Sequence, residues 1–322
     1  MAKAHCIVKG RSCAFCEGGR VSKANLAARL SDFITESALR RLVELALEED
    51  LGRGDVTSDL LIPPNVEARA VLRSRVNGVI AGLDIAQLVF ELVDVDAQFE
   101  ALAAEGSLVS RGQDLAVVSG AARSLLRAER VALNFLQRLS GIATLTFQYV
   151  EAVRGTRARI VDTRKTTPGM RAIEKYAVRA GGGFNHRRDL SDAMLIKDNH
   201  LEVLAARGVS LREAVATARE SLPHTLKVEI EVDHLDQIAE AISAGADIIL
   251  LDNMSAEQLG NAVTMIDGRA IIEASGGVSL KTVSEIAATG VDVISVGALT
   301  HSAPSLDIGL DVDIVQVSHG DA

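Results

Sequence analysis

The stretch KVEIEVDHLDQIAEAISAGADIILLDN, residues 227–253, decides the fold. Lys227–Val232 and Asp247–Leu251 are short runs rich in β-branched residues, and the segment between them reads as a helix. Four similar runs occur elsewhere after residue 158, with a spacing of 20 to 35 residues between successive runs. They are Arg159–Asp162, Ala193–Ile196, Ala270–Ala274 and Val291–Val296. Strands that alternate with helices predict a parallel sheet, closed or nearly closed into a barrel.

Polar or glycine-rich residues follow nearly every one of these runs, for example Asp252-Asn253 and Ser275-Gly276-Gly277. The active site of a parallel α/β barrel lies at the carboxyl ends of its strands. We therefore expect the chemistry at one mouth of the barrel, where cations, carboxylates and glycines converge.

Composition narrows the class of protein. The chain has 322 residues, of which 48% are hydrophobic and only 3% aromatic, and its net charge is −9. A negative chain with few aromatic side chains is a poor candidate for binding nucleic acid or a membrane surface. No apolar run approaches the length of a membrane span and no secretory segment is visible, so we predict a soluble, cytoplasmic protein.

Residues 1–30 differ from the rest, since they carry six basic side chains against one acidic side chain. A transit peptide is one interpretation, but a disordered extension is favoured because no amphipathic pattern is present. Cys6, Cys13 and Cys16 are the chain's three cysteines. They could form a metal site or a redox pair, but a single C-x-x-C pattern is weak and incidental cysteines are preferred.

Residues 31–122 are predicted to form a small α/β sandwich domain. Leu39, Leu42, Val43, Ala46 and Leu47 form the apolar stripe of a helix over Ser37–Asp50. A second helix is expected from about Asp84 to Val93. Strands are predicted at Ala68–Arg73, Gln98–Ala103 and Asp114–Ser119, and the tail over 303–322 contains an alternating run that is expected to return to this domain.

Residues 123–302 are assigned to the barrel domain, which begins with a long helical stretch over Ala121–Val153. A break is predicted at Ser140-Gly141 because glycine disfavours helix interiors. One face carries a polar stripe whose periodicity alone predicts a solvated surface. The stripe consists of Arg123, Arg127, Arg130, Asn134 and Arg138.

Three segments carry basic residues to the predicted mouth. The loop DTRKTTPG (162–169) follows the first strand, and its adjacent Arg and Lys suit phosphate or carboxylate. The glycine-rich loop GGGFNHRR (181–188) lets backbone approach a ligand and ends in basic residues. Lys197 comes directly after a buried run, where it either pairs with a carboxylate or binds substrate.

Carboxylates and glycine loops complete the predicted site. Glu229, Glu231 and Asp233 alternate and so share a face of one strand, and Asp252 ends the next strand. Such carboxylates suit Mg²⁺ together with substrate phosphates, or they form ion pairs with the cations. Ser275–Gly277 and Ser295–Gly297 end the last two strands, where barrels of this kind bind phosphate. These features predict a phosphorylated, metal-bound substrate beside a pocket for a polyanion.

Several of these runs together resemble quinolinate phosphoribosyltransferase, the carboxylating nicotinate-nucleotide pyrophosphorylase family. The resemblance spans roughly residues 35–312, in order and without large gaps. It rests on EDLG (49–52), GDVT (54–57), AER (128–130), LSGIA (139–143), DTRKTTPGMR (162–171), EKYAV (174–178), GGG (181–183), NHR (185–187), LIKDNH (195–200), LLDNM (250–254) and EASGGV (273–278).

The resemblance implies an N-terminal open α/β sandwich joined to an incomplete parallel α/β barrel of about seven strands. It also implies a homodimer, or a multiple of it, with active sites shared across the interface. The implied reaction transfers phosphoribose from phosphoribosyl pyrophosphate to quinolinate, with Mg²⁺ as cofactor. Its products are nicotinate mononucleotide, pyrophosphate and CO₂, in NAD biosynthesis.

The resemblance also implies residue roles. Glu231 and Asp252 would hold Mg²⁺ and face the ribose, as catalytic residues together with Lys165 and Lys197. The substrate-binding residues would be Arg130, Arg164, His186, Arg187, Lys197, Ser275, Gly276, Gly277, Ser295, Val296 and Gly297. Among them, Arg130 would reach the neighbouring subunit's site, and His186 would bind quinolinate rather than transfer a proton.

Three alternatives remain at this point. One is a related phosphoribosyltransferase of the same fold with another acceptor, although the NHR and TTPG motifs argue for quinolinate. Another is a lyase that forms a Schiff base at Lys197, which borohydride trapping would detect. The third is a barrel that binds phosphate as a sensor without turnover.

Overall fold

The structure is a computed structural model that describes Ile7–Val8, Arg11–Ser12 and residues 29–314. Its first two strands, β1 (Ile7–Val8) and β2 (Arg11–Ser12), pair antiparallel. Apart from these two strands and residues 29–30, the extension that is predicted to be disordered lies outside the described residues, and so do the three cysteines. The chain divides into two compact units, the first with Met1–Leu145, Ala172–Gly182 and Ala303–Ala322, the second with Thr146–Arg171 and Gly183–Ser302.

The first unit contains two small antiparallel sheets. A four-stranded sheet has the order β14-β3-β7-β5, and a two-stranded sheet pairs β4 with β6. The tail returns as an edge strand, because Ile308–Ile314 pairs antiparallel with Ala68–Ser74. The strands are β3 (Glu67–Ser74), β4 (Gly78–Val79), β5 (Gln98–Ala101), β6 (Leu108–Val109), β7 (Asp114–Ala121) and β14 (Ile308–Ile314).

Helices cover these sheets, and polar side chains fix where several of them begin. A 3₁₀ turn at Leu30–Asp32 precedes α1, where Thr35 Oγ1 accepts the Ala38 N–H at the N-terminus. Glu105 accepts the Gly82 N–H at the start of α3. Such caps satisfy amide groups that the helix itself leaves without partners. The helices are α1 (Glu36–Leu51), α2 (Val56–Leu61), α3 (Leu83–Val93), α4 (Ala122–Ala152), which ends in the second unit, and α5 (Arg171–Ala180).

The core of the first unit is aliphatic, as the composition suggests. The predicted stripe on α1 is confirmed, since Leu39, Val43 and Leu47 are buried. A larger cluster joins the sheets to α3 and α4, and burial of such side chains contributes about 25 cal/mol per Å² of apolar surface. Its members include Leu72, Ile80, Leu83, Leu115, Leu133, Leu136 and Ile308.

The predicted break at Ser140-Gly141 is wrong, because α4 runs without interruption from Ala122 to Ala152. The Ser140 hydroxyl bonds to both the N–H and the C=O of Ala81, at 3.0 and 3.2 Å. Gly141 lets the backbone of Pro304 pack directly against the helix, where a Cβ would meet the Pro304 carbonyl group. This glycine therefore serves close packing and not a helix end.

The second unit contains a parallel sheet of six strands in the order β8-β13-β12-β11-β10-β9. Phe184 adds one isolated parallel bridge to Val161, on the free side of β8. The predicted nearly closed parallel sheet is confirmed, with six strands and this single bridge where about seven strands were expected. The strands are β8 (Arg159–Val161), β9 (Met194–Ile196), β10 (Val228–Val232), β11 (Ile248–Asp252), β12 (Ile271–Ser275) and β13 (Val293–Ser295).

Helices connect the parallel strands, as crossover connections require. Ser210 and Ser255 begin two of them with capping boxes, in which the serine and the residue three positions later satisfy each other's backbone N–H. The helical segments are α6 (Asp198–Ala206), α7 (Leu211–Ser221), a 3₁₀ turn (Leu235–Gln237), α8 (Ile238–Ala244), α9 (Ala256–Ile266), α10 (Val283–Ala288) and α11 (Ala298–His301). Within the described residues, no helix combines the length and apolar character that crossing a bilayer requires.

The packing at Gly141 gives a test of the fold. In Gly141→Ala, the added Cβ would lie 3.0 Å from the Pro304 carbonyl carbon and still closer to its oxygen. We expect this overpacking to lower the free energy of unfolding by about 1–3 kcal/mol, measured by urea denaturation with circular dichroism.

Gly260→Ala is the matched control, because Gly260 lies inside α9 with no atom within 4 Å of an added Cβ. There the substitution should raise the free energy of unfolding by about 0.5–1 kcal/mol, through helix propensity. A Gly141→Ala protein as stable as the Gly260→Ala protein would contradict this packing.

Candidate active site

The barrel unit brings most of the predicted site residues to the carboxyl ends of its strands. The loop after β8 carries Arg164 and Lys165, and Lys197 follows β9 directly. Glu231 lies in β10, and Asp252 ends β11. Parallel strands present these ends at one edge of the sheet, so their side chains converge.

A buried carboxylate fixes the loop that carries His186 and Arg187. Asp162 is fully buried and comes directly after β8. One of its oxygens accepts the side-chain N–H of Asn185 at 2.6 Å, and the other accepts the backbone N–H of His186 at 2.9 Å. The cost of burying this charge is offset by these charge-assisted hydrogen bonds.

His186 lies against two further buried carboxylates. Its Nε2 is 3.4 Å from Glu229 Oε2 and 3.4 Å from Glu273 Oε1. Burial lowers the pKa of His186, but the hydrogen bonds and charges of the two glutamates outweigh it and raise that pKa to about 10. Burial also raises the pKa of Glu229, and the nearby Glu273 carboxylate adds to this.

The other ring nitrogen of His186 shows where the retained proton sits. The backbone N–H of Arg187 donates to His186 Nδ1 at 2.7 Å, so Nδ1 acts as an acceptor. The proton that the raised pKa of His186 retains therefore lies on Nε2, between the two glutamates.

Two guanidinium groups lie near each other beside this cluster. Burial lowers the pKa of Arg187, and the positive charge of Arg164 lowers it further. Arg187 Nη1 donates to the carbonyl of Ala193 at 3.4 Å. Among the described residues, buried Arg164 Nε has no hydrogen-bond partner. A buried donor without a partner, next to a second cation, indicates a place for an anion.

Lys165 lies beside the glycine loop that ends β13. The hydroxyl of buried Thr300 donates to the Lys165 carbonyl at 2.8 Å and fixes the backbone there. A Cβ on Gly297 would come within 3.2 Å of Lys165 Cδ, so glycine permits the close approach of this chain. An exposed ammonium group next to a glycine loop is a suitable arrangement for phosphate.

Lys197 and Glu231 form an ion pair across β9 and β10. Glu231 is only 10% exposed, whereas Lys197 is 44% exposed. The lysine therefore reaches the solvent side of the mouth while its ammonium group neutralises the carboxylate.

Asp252 is held by its neighbours at the end of β11. Asn253 donates its side-chain N–H to Asp252 at 2.5 Å and its backbone N–H to the Ser275 carbonyl at 2.9 Å. Asn253 has φ of 54° and Gly276 has φ of 84°. A Cβ on Gly276 would overlap the Asn253 amide, so both the space and the backbone angle require glycine.

Glu231 and Asp252 fit a magnesium ion by their chemistry and their strand register. Glu231 is paired with Leu250, two residues before Asp252, so the two carboxylates share a face. Their Cα atoms are then about 8 Å apart, from strand spacing and rise. Partly exposed carboxylate oxygens at this spacing suit Mg²⁺ that is also bound by substrate oxygens.

The predicted phosphate loops differ in what they offer. Ser275 is level with Asp252 in the sheet, and Gly277 is exposed beyond it. By contrast, Ser295 is buried, with its hydroxyl 3.5 Å from the Ala274 carbonyl. The Val296 N–H donates to the Val161 carbonyl at 2.9 Å. This amide is therefore part of the sheet hydrogen bonding, and Gly297 is the residue of that loop that faces Lys165.

Arg130 is the one predicted site residue that belongs to the first unit, where it is exposed on α4. Its stripe is not the solvated face that periodicity predicts. Arg123 and Arg127 both form ion pairs with Asp59, and Arg138 pairs with fully buried Glu174. The stripe is not a fully solvated face because distant parts of the chain supply ion-pair partners for three of its arginines.

Sequence reasoning gave no role to Asp162, Glu273 or Thr300, although each contacts or supports a predicted site residue. A signal was present for the first two, since each is a carboxylate within an apolar run of a strand. Charged residues at such positions are buried only with partners. No comparable signal marks Thr300.

Comparison with known proteins places this arrangement in a family. The N-terminal domain of quinolinate phosphoribosyl transferase matches residues 55–140, and its C-terminal domain matches residues 142–311. A nicotinate-nucleotide pyrophosphorylase [carboxylating] from Mycobacterium leprae is 46% identical over 85% of this chain and 97% of its own length. A probable enzyme of the same name from Synechocystis is 45% identical, over 83% of this chain and 90% of its own.

Solved structures agree with these matches. The crystal structure of NadC from Streptococcus pyogenes is 43% identical and has a TM-score of 0.82, covering 88% of this chain and 99% of that chain. The nicotinate-nucleotide pyrophosphorylase from Francisella tularensis is 38% identical with a TM-score of 0.81, covering 87% and 98%. Matches to both domain families and to relatives over almost their full length lead to one conclusion: this chain belongs to the quinolinate phosphoribosyl transferase family.

Proposed function

We propose that this protein transfers phosphoribose from phosphoribosyl pyrophosphate to the ring nitrogen of quinolinate and releases pyrophosphate and CO₂. The product is nicotinate mononucleotide, as in a carboxylating nicotinate-nucleotide pyrophosphorylase. Family membership and the site geometry both support this reaction.

The observation that carries the proposal is the pair of guanidinium groups at the mouth. Arg164 has a buried Nε without a partner among the described residues, and Arg187 is close enough for the two charges to repel. A ligand with two carboxylates would relieve this repulsion and supply hydrogen-bond acceptors for both guanidinium groups. Quinolinate is such a ligand.

Lys165 and Gly297 support binding of the phosphorylated substrate. The ammonium side chain lies along the glycine loop at the end of the last strand, where α/β barrels bind phosphate. Gly276 and Gly277 offer a second backbone approach beside Asp252. We infer that these two loops hold the phosphate of phosphoribosyl pyrophosphate.

Glu231 and Asp252 would hold Mg²⁺ together with oxygens of the phosphoribosyl substrate. The ion would neutralise pyrophosphate as it leaves. In this structure Glu231 pairs with Lys197, which is 44% exposed. The ammonium group of Lys197 therefore lies at the mouth, where it would bind a carboxylate of quinolinate.

The chain's own groups account for the sequence of bond changes. A bond forms between the ring nitrogen and the ribose C1′ while the bond from C1′ to pyrophosphate breaks, and positive charge that develops on the ribose faces Glu231 and Asp252. The ring nitrogen is then positive and stabilises the electron pair that CO₂ leaves on the adjacent carbon, and this carbon takes a proton from solvent. Holding two anionic substrates in this geometry supplies on the order of several kcal/mol.

The ion pair of Lys197 argues against a Schiff-base lyase, because a Schiff base forms from a neutral amine. A sensor without turnover would have little use for carboxylates placed at the ribose. A related phosphoribosyltransferase with another acceptor stays an outcome of the tests below. The cytoplasmic location stays a prediction from sequence.

We also propose that the protein works as a homodimer in which Arg130 enters the partner's site. The helix α2 supports this, since Val56, Leu60 and Leu61 are 71%, 78% and 72% exposed. Asp59 of the same helix binds Arg127, one turn from Arg130 on α4. An apolar face this exposed, beside an exposed arginine, suits an interface between copies.

The first prediction concerns turnover. Purified protein with phosphoribosyl pyrophosphate, quinolinate and Mg²⁺ should release CO₂ and pyrophosphate in equal amounts, with a mononucleotide product. Carbon-14 release from labelled quinolinate and a coupled pyrophosphate assay measure both. No release from a folded protein that binds phosphoribosyl pyrophosphate would reject quinolinate as the acceptor, and an adduct trapped by borohydride would favour the lyase.

The second prediction concerns Arg164. Arg164→Gln removes a charge-assisted contact that is worth about 1.5–3 kcal/mol, so KM for quinolinate should rise about 10- to 150-fold. KM for phosphoribosyl pyrophosphate should change much less, as measured by initial rates.

Arg157→Gln is the matched control, since Arg157 pairs with Asp292 at the amino end of the strands and is 59% exposed. It should leave both KM values unchanged. An Arg164→Gln enzyme whose KM changes only for phosphoribosyl pyrophosphate would contradict the assignment of this arginine to the acceptor pocket.

The third prediction concerns the shared site. Arg130→Ala and Lys197→Ala homodimers should each be inactive, because every site lacks one cation. A mixed dimer should have about half of its sites intact, by two-fold symmetry. Co-expression with two different affinity tags isolates the mixed dimer, and a mixed dimer as inactive as its parents would refute shared sites.

A further inference from the structure

Two loops carry the guanidinium groups of the acceptor pocket, and these groups repel each other. Arg164 lies in the loop over 162–169, and Arg187 lies near the end of the glycine-rich loop over 181–188. Burial and the positive charge of Arg164 lower the pKa of Arg187. Two charges that repel keep a fixed distance only where the backbone that carries them is held. The contacts that join these loops therefore decide where the two cations lie.

One contact joins the loops at the residues that precede the two cations. Asp162, two residues before Arg164, accepts the side-chain N–H of Asn185 at 2.6 Å and the backbone N–H of His186 at 2.9 Å. Asn185 and His186 directly precede Arg187. This contact fixes the loops where they leave the strands.

Arg171 joins the same loops at the residues that follow the two cations. Its Nε donates to Thr166 Oγ1 at 3.1 Å, and its Nη1 donates to the Arg188 carbonyl at 3.3 Å. Thr166 lies two residues after Arg164, and Arg188 directly follows Arg187. The contacts of Asp162 and Arg171 therefore flank the pair of cations along both loops.

Thr166 connects Arg171 to the backbone of Arg164. Its hydroxyl accepts the Arg171 N–H and donates to the Arg164 carbonyl at 3.5 Å, and its backbone N–H donates to that carbonyl at 3.0 Å. The guanidinium group of arginine is a planar fork with donors in fixed directions, whereas lysine carries a point charge on a flexible chain. Arg171 therefore holds its two acceptors at a set distance, which a lysine at this position would not do.

The charge of Arg171 also has a counter-charge in the protein. Hydrogen bonds from Ser191 lower the pKa of Asp189, and the charges of Arg188 and Arg171 lower it further. A carboxylate therefore lies near enough to offset part of the charge of Arg171. Arg164 differs in this respect, because its buried Nε has no hydrogen-bond partner among the described residues.

We propose that Arg171 is a positioning residue that fixes the distance between the guanidinium groups of Arg164 and Arg187, and thereby selects an acceptor by the spacing of its two carboxylates. The inference rests on the proposed function and adds a residue to it, since Arg171 acts through the two loops and not on the substrate. Quinolinate carries its carboxylates on adjacent ring carbons. A dianion gains both contacts at little ordering cost only where its spacing matches that of cations already in place.

Two unreactive dicarboxylates measure this selection. Benzene-1,2-dicarboxylate keeps the carboxylate spacing of quinolinate, and in benzene-1,3-dicarboxylate the carboxylates lie one ring carbon further apart. Neither has a ring nitrogen to accept phosphoribose. We would measure their dissociation constants and that of quinolinate by calorimetry, on the full chain without phosphoribosyl pyrophosphate. The proteins are the unaltered chain, Arg171→Gln, Arg171→Lys, Thr166→Val and the double variant of Arg171→Gln with Thr166→Val.

The unaltered protein should prefer the 1,2-dicarboxylate to the 1,3-dicarboxylate. Arg171→Gln should weaken quinolinate and the 1,2-dicarboxylate by roughly 10-fold and the 1,3-dicarboxylate much less, because two hydrogen bonds that hold the loops are lost. The preference should therefore fall. In initial-rate kinetics, KM for quinolinate should rise by a similar factor, while kcat at saturation changes less.

The other variants separate the contact from the charge. Thr166→Val keeps the branched shape of the side chain but removes the acceptor of Arg171 Nε, so it should lower the same preference. The double variant should lose no more than Arg171→Gln alone, because both changes break one contact. Arg171→Lys keeps the charge without the fork and should not restore the preference.

Other results would overturn the inference alone. They are an Arg171→Gln protein that keeps the original preference, recovery of binding in Arg171→Lys, and independent losses in the double variant. The last two would mean that Arg171 meets the ligand directly. Should circular dichroism show that Arg171→Gln does not fold, Thr166→Val compared with the unaltered protein decides the question. Quinolinate that fails to bind the unaltered protein would reject the proposed function and this inference with it.

Arg219→Gln is the matched control, because this guanidinium group also joins two segments of the barrel unit. Near the end of α7, its Nη2 donates to the Gly245 carbonyl and to Asp247 Oδ2, the latter at 3.0 Å. Asp247 directly precedes β11, at the amino ends of the strands and away from the mouth. We expect the preference to stay unchanged in this variant. An equal fall there would mean that the effects report the stability of the barrel, which would also overturn the inference.

Discussion

Like-charge repulsion at the carboxyl ends of a parallel sheet is the constraint that the barrel must satisfy. Arg164, Lys165, Arg187 and Lys197 all follow strands or their loops, and they converge because parallel strands end at one edge. Without counter-charges these cations would repel each other, as Arg164 and Arg187 do. Buried carboxylates supply the counter-charges, and their positions decide which cations remain available to a ligand.

The carboxylates lie at different depths below the mouth of the barrel. Glu229 and Glu273 lie in the interior and hold His186, while Asp162 holds the loop that carries it. Glu231 lies two residues further along β10 than Glu229, nearer the solvent, and pairs with Lys197. The interior glutamates are almost fully buried, at 2% and 5% exposed, whereas Lys197 of the outer pair is 44% exposed. The outer pair is therefore open to a ligand that enters the mouth, and the interior group supports the structure around it.

Sequence alone predicted the parts of the fold that depend on local periodicity. The six strands of the parallel sheet are short apolar runs rich in β-branched residues, the stripe of α1 repeats every 3.6 residues, and the tail strand alternates. A window of about ten residues reveals each of these patterns. The predicted break at Ser140-Gly141 was wrong because a glycine inside a helix can mark either a break or a close contact with another part of the chain. Only the position of Pro304, more than 160 residues later in the chain, distinguishes them.

The sequence predicts which residues lie at the site, but not which side chains pair with each other there. Strand order places Glu231 and Asp252 on one face, and this follows from alternation and register alone. Whether Arg123 and Arg127 are paired depends on Asp59, which lies 64 and 68 positions earlier in the sequence. The same holds for His186, whose partners lie 43 and 87 positions further along the chain. Periodicity gives the face on which a side chain lies, whereas the partners that the fold brings to it decide which of its polar atoms remain available to a ligand.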